Sequence, residues 1–127
     1  MFPVSVKVPN EVILSLLCCA FEGGSNYWYS NVEEKHAPPV ATTFDHIEFH
    51  FSQRWPVLGG SVTVTELDPD DGTCKKHLLT KGKLAKGLAL MADVQPLHFA
   101  DALNGDDDAI TGDVFLQLCL FGKIVYG

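Results

Sequence analysis

Positive charge is scarce in this chain: nine lysines and arginines stand against sixteen aspartates and glutamates, a net charge of −7. Contacts to phosphate depend on lysine and arginine, so this balance argues against direct nucleic-acid binding. It suits solubility, a basic protein partner, or imitation of DNA. Long apolar runs are also missing, since none approaches the roughly 20 residues that a membrane span requires. The opening residues Met1-Phe2-Pro3-Val4-Ser5-Val6-Lys7 have no basic stretch followed by an apolar one, so no secretory leader is expected. Cysteine is sparse as well. Cys18, Cys19, Cys74 and Cys119 include no C-x-x-C pair of the kind that structural zinc uses. Reduced thiols acting as small buried hydrophobes are expected, in a cytoplasmic protein. G-x-S-x-G, the P-loop pattern and G-x-G-x-x-G are all absent. The expectation is a non-enzymatic protein without a cofactor or a structural metal.

What is present suffices for one globular domain over residues 1–127, with 46% apolar residues to form a core. Val4, Val6 and Val8 alternate with Ser5 and Lys7 and predict a short strand that Pro9 ends. Asn10 is a candidate N-cap for a helix over 11–21, apolar nearly all round and therefore expected at the centre of the fold. Residues 31–43, with three charges and Pro38-Pro39, read as an exposed loop. Strands are predicted over 44–51 and 61–67. The turn Asp68-Pro69-Asp70-Asp71-Gly72 should then fold a return strand over 73–79 into a hairpin. Thr80 is a candidate cap for a helix reaching about residue 94, with Leu84, Leu88 and Met91 as its buried stripe. Gly82 and Gly87 make that helix depend on packing, or admit a neighbouring backbone closely. Further helical turns over 97–103 end at Asn104-Gly105, which suits a left-handed cap. The apolar run over 113–121 is read as a helix, with a buried strand as the alternative, and 123–126 as a last short strand. The fold class is α+β: an antiparallel sheet with helices packed on one face.

The candidate functional stretch is Phe21-Glu22-Gly23-Gly24-Ser25-Asn26-Tyr27-Trp28-Tyr29-Ser30. Paired glycines let a helix end and the chain turn back sharply. Three rings follow in a row, and such a run cannot bury all of them on one face. Gly23, Gly24, Ser25 and Asn26 offer backbone and side-chain donors to an anion, while Tyr27, Trp28 and Tyr29 offer a stacking surface for a base or sugar. The bland alternative is that the rings cap the end of the core. His46, Glu48 and His50 share one strand face with the spacing for a metal, although a solvated strand face needs such residues anyway. The aspartates of 68–72 and 106–108 lack EF-hand spacing and read as turn and cap chemistry. Lys75, Lys76, His77, Lys81, Lys83 and Lys86 concentrate the scarce positive charge in one region.

Two segments carry a resemblance: Ala20-Phe21-Glu22-Gly23-Gly24-Ser25-Asn26-Tyr27-Trp28-Tyr29, and Thr111-Gly112-Asp113-Val114-Phe115-Leu116-Gln117 with Leu120-Phe121-Gly122 and Val125-Tyr126-Gly127. Together they resemble a family of small proteins encoded by tailed phages and prophages; the likeness covers both ends and is looser between them. It implies a bacterial host cell and a counter-defence accessory role exercised by binding. The first expectation is sequestration of a small nucleotide-like ligand by Glu22, Gly23, Gly24, Ser25, Asn26, Tyr27, Trp28 and Tyr29, with Asp113 and Gln117 nearby. The alternative is direct inhibition of a host nucleic-acid-binding defence complex, of the anti-CRISPR or DNA-mimic type, through the acidic surface. A small hydrolase or metalloprotein using the histidine strand, and a structural or assembly subunit working as a homo-oligomer, are the remaining readings.

Overall fold

A computed structural model describes residues 1–39 and 51–127. The elements in order are α1 (Asn10–Cys19), a π-helical turn (Ala20–Gly24), β1 (Tyr29–His36), a 3-10 turn (Phe51–Arg54), β2 (Ser61–Leu67), β3 (Cys74–Thr80), α2 (Lys81–Val94), α3 (Pro96–Leu103) and α4 (Ala109–Phe121). The sheet runs β1-β2-β3, antiparallel throughout, which is the α+β arrangement expected. Its inner face is set by alternation: Val62 and Val64 of β2 and Leu79 of β3 are fully buried against the helices.

The hairpin and α2 follow local chemistry closely. Asp68 Oδ1 accepts from the Asp70 N–H at 2.8 Å, and Asp71 Oδ1 accepts from the Thr73 N–H at 2.8 Å. These aspartates therefore serve the turn. Thr80 caps α2, its Oγ1 accepting from the Lys83 N–H at 3.3 Å. Leu84 and Met91 of the expected stripe are buried and Leu88 is half-buried. Gly105 takes φ +76 just past α3, as the Asn-Gly pair implied.

Four expectations are corrected. Residues 4–8 form no strand and pair with none of β1, β2 or β3; they run as an exposed arm whose Val8 alone is half-buried. Residues 31–36 are strand rather than loop, since Val32 pairs with the buried Val64 while Glu33, Glu34 and Lys35 stay exposed at the edge of the described sheet. Residues 123–126 are irregular, with two of their backbone N–H groups taken by a side chain instead of a neighbouring strand. Asn10 does not cap α1, which begins on it after Pro9 with no side-chain cap bond. The strand expected over 44–51, with His46, Glu48 and His50, lies outside the described residues.

The most enclosed element is α4, not α1. Its residues from Thr111 to Cys119 are all buried except the half-buried Val114, and it packs against α1, α2, α3, β3 and the π-turn. Asp108 caps it, Oδ1 accepting from the Thr111 N–H at 2.9 Å, and Gly122 ends it at φ +71. Close packing is possible because its neighbours meet it at glycines. A Cβ on Gly112 would lie 2.6 Å from the backbone N of Ala20, and one on Gly87 of α2 would lie 2.8 Å from the Cα of Cys119. Cys119 is buried and Cys18 and Cys19 are half-buried, as free thiols; Cys74 is exposed. Burial, with Asp107 beside it, pushes the Cys19 thiol up to about 11.

Candidate functional site

Asp113 and Gln117 stand one turn apart on α4, so both project from the same face toward the segment that follows the π-turn. That segment is brought back by the turn itself. The Ser25 N–H bonds to the Ala20 carbonyl at 2.8 Å, and the N–H groups of Trp28 and Tyr29 both bond to the Ser25 carbonyl at 3.1 Å. Gly24 is required because a Cβ there would lie 2.0 Å from the Ala109 carbonyl oxygen at the start of α4.

The result is a hub on one carboxyl group. Asp113 Oδ1 accepts from Ser25 Oγ at 2.8 Å and from Trp28 Nε1 at 2.7 Å. Its Oδ2 accepts from Tyr27 Oη at 2.6 Å and from Gln117 Nε2 at 3.1 Å. Two oxygens accepting twice each use the four lone-pair sites the group has. Among the described carboxylates Asp113 alone is buried, at 8% exposure. Burial and the Asp113 hydrogen bond push the Tyr27 phenol up to about 12, because ionising it would place a second anion beside the carboxylate.

Gln117 extends the hub to the last residues. Its Oε1 accepts from the N–H groups of Val125 and Tyr126 at 2.9 Å each, and its Nε2 donates to the Tyr126 carbonyl at 3.1 Å. One side-chain amide thus holds the strap 122–127 where a strand ladder was expected. The Tyr126 ring stacks on Trp28, centroids 5.7 Å apart and planes within 9°. Its hydroxyl donates to Glu66, which also pairs with His77 Nε2 at 2.7 Å. Tyr126, Glu66 and His77 were not among the expected site residues. The available signal was Glu66 itself, a carboxylate on the inward face of β2. Burial alone raises the Glu66 carboxyl, but bonds from Tyr126 and His77 hold it below the usual glutamate range. A depressed pKa contributes stability that is present above the ordinary range and lost as pH falls through the folded value. Acid titration of the thermal midpoint should therefore show a loss below the ordinary glutamate range, and Glu66→Gln should remove that part of the profile.

The expected site residues divide in two. Ser25, Trp28, Asp113 and Gln117 are buried and bonded to one another, and Tyr29 is half-buried with its hydroxyl on the Phe21 carbonyl at 2.5 Å. Glu22, Gly23, Asn26 and Tyr27 remain exposed, Tyr27 at 47%. The three rings therefore do not jointly line a concavity. Trp28 fills the core between Tyr29, Phe121 and Tyr126, and of the three rings only that of Tyr27 is exposed, while its hydroxyl reaches in to Asp113. Among the described residues no group of three or more His, Cys, Asp or Glu is placed to hold a metal ion. None of their helices is long and apolar enough to cross a membrane. No family model, curated protein or solved structure matches this chain.

Proposed function

We propose that this chain is a phage- or prophage-encoded accessory protein that acts by binding, and that its partner is a basic surface of a host defence protein. The observation that carries the choice of partner is the burial of Asp113 with its four donors. Ser25, Trp28, Asp113 and Gln117, the buried groups that a small ligand would have used, are already bonded to each other, so most of the charged chemistry left on the outside is acidic. Glu33 and Glu34 lie exposed on the edge strand β1, and Asp101 and Asp106 are exposed around the end of α3. Exposed carboxylates of this kind are attracted to lysine- and arginine-rich channels that otherwise hold nucleic acid.

The test is co-expression with a nucleic-acid-binding defence complex and measurement of the affinity across salt. A complex is expected whose affinity falls steeply from about 50 to about 500 mM salt. It should be lost in the Glu33→Gln, Glu34→Gln, Asp101→Asn, Asp106→Asn variant, which spares the capping Asp108 and the Asp107 that accepts from Ser15. Binding that ignores both salt and these substitutions rejects the reading. A second reading, retention of a nucleotide-like ligand, is favoured by the exposed Tyr27 ring beside the exposed Asn26. It requires a thermal shift with a nucleotide panel that Tyr27→Ala removes.

A further inference from the structure

The N-terminal arm and α2 border an open groove on a different part of the molecule. Two cavities of about 180 and about 570 Å³ adjoin there, with Val8, Ala85 and Leu88 lining both. The α2 residues along it are Lys81, Leu84, Ala85, Leu88, Ala89 and Ala92. These follow helical spacing on one face and cover about 16 Å of axis at a rise of about 1.5 Å per residue. Three of the six are alanines, which leave room beside the helix axis. The arm supplies the opposite wall through valines at 4, 6 and 8; Val4 is 82% exposed and Val6 55% exposed. Valines on an arm that stands off the helix bury little surface as they are.

The lining is chemically one-sided. Apart from Asn10, every residue along it is apolar except Lys81, at one end. Lys81 is also the first residue of α2, where unpaired N–H groups and the helix dipole add positive character. An apolar strip along one face of α2 with one cation at its end matches an extended apolar chain with one anionic head. We infer that this groove binds a monomeric amphiphile: an unbranched aliphatic chain laid along α2 beneath the arm, its carboxylate or phosphate head against Lys81. The volume of the larger cavity is in the range of ordinary small-molecule sites.

The experiment uses the full chain with dodecanoate and dodecyl phosphate below their micelle concentrations and dodecanol below its solubility limit, read by calorimetry. Saturable one-to-one binding of dodecanoate is expected, with dodecanol weaker. Lys81→Gln should weaken dodecanoate about tenfold, the scale of one charge-assisted contact, and leave dodecanol unchanged. Ala89→Trp should abolish binding of all three by filling the groove. Ala89 is exposed, so circular dichroism and the thermal midpoint of that variant should match the parent. No saturation by either anionic probe, or binding indifferent to Ala89→Trp, overturns the inference. So does binding confined to vesicles of anionic phospholipid, or self-association through the arm that the probes do not displace. If dodecyl phosphate binds and dodecanoate does not, the head is a phosphate and the groove assignment stands.

Discussion

Replacing Asp113 by alanine is expected to cost about 3–5 kcal/mol, a large part of the 5–15 kcal/mol that holds a typical domain folded. The cost comes from the donors left behind. Trp28 Nε1 and Ser25 Oγ lie in fully buried residues, so water cannot replace the lost acceptor, and each orphaned donor costs about 1–3 kcal/mol. Tyr27 and Gln117 contribute less: Tyr27 reaches solvent, and the Gln117 amide keeps the Tyr126 carbonyl. Urea denaturation should show a lower midpoint with an unchanged slope. Asp113→Asn keeps the volume but turns an amide donor toward other donors, so it should cost about 2–3 kcal/mol and not be silent. The Trp28→Phe, Asp113→Ala double variant separates the hub from simple cavity formation. Phenylalanine removes the orphaned indole N–H, so the pair should lose less than the sum of the two single variants. A loss below about 1 kcal/mol for Asp113→Ala, or strict additivity in the pair, would contradict a structural hub.

The sequence made the elements legible where local chemistry decides them. Thr80 beside an apolar stripe, the Asp-Pro-Asp-Asp-Gly turn, and alternating Val62 and Val64 each specify their conformation within a few residues. It was misleading where a partner decides. The valine alternation over residues 4–8 records one apolar face but not whether a sheet edge lies nearby. Past Tyr29 the β1 sequence carries only Val32 inward among polar and charged residues, so only its pairing with β2 reveals a strand. The site was legible in part for the same reason. Asp113 and Gln117, one turn apart in an otherwise apolar helix, belong with the ring run, and the structure does bring them together. Whether a polar pair faces a ligand or the core depends on how deeply its helix is enclosed. That depth is set by α1 and α2, far away in sequence. The strap 122–127 was the least legible piece, because a side-chain amide standing in for a strand leaves no periodic trace.

One chemical change, glycine to alanine, is expected to act with opposite signs at three helical positions. At Gly82 an added Cβ meets nothing closer than Thr80 Oγ1 at 3.8 Å, so alanine should stabilise by about 0.5–1 kcal/mol through helix propensity and a less flexible unfolded chain. At Gly112 the same methyl would sit 2.6 Å from both Ala20 N and Cys19 Cβ, and 2.8 Å from the Cys19 carbonyl carbon. None of these atoms can swing aside by a rotamer change, so α1 and α4 must separate. At Gly87 it would sit 2.8 Å from Cys119 N and Cα, which forces α2 and α4 apart on another side of the same helix. Overpacking of this kind costs about 1–3 kcal/mol or more, and it exceeds the propensity gain because it displaces packed backbone. A net loss of about 2–3 kcal/mol is expected at Gly112 and at Gly87, lowering the thermal midpoint by roughly 10 °C in each. Because both variants strain the seating of α4, the double variant should depart from additivity. The same displacement would carry Asp113 and Gln117 away from their partners. Near-ultraviolet dichroism of Trp28 should therefore weaken in the Gly112 variant and stay at the parent intensity in the Gly82 variant. Equal stabilities at the three positions would mean that α4 is not held by close approach of its neighbours, and the geometry of the hub would need another cause.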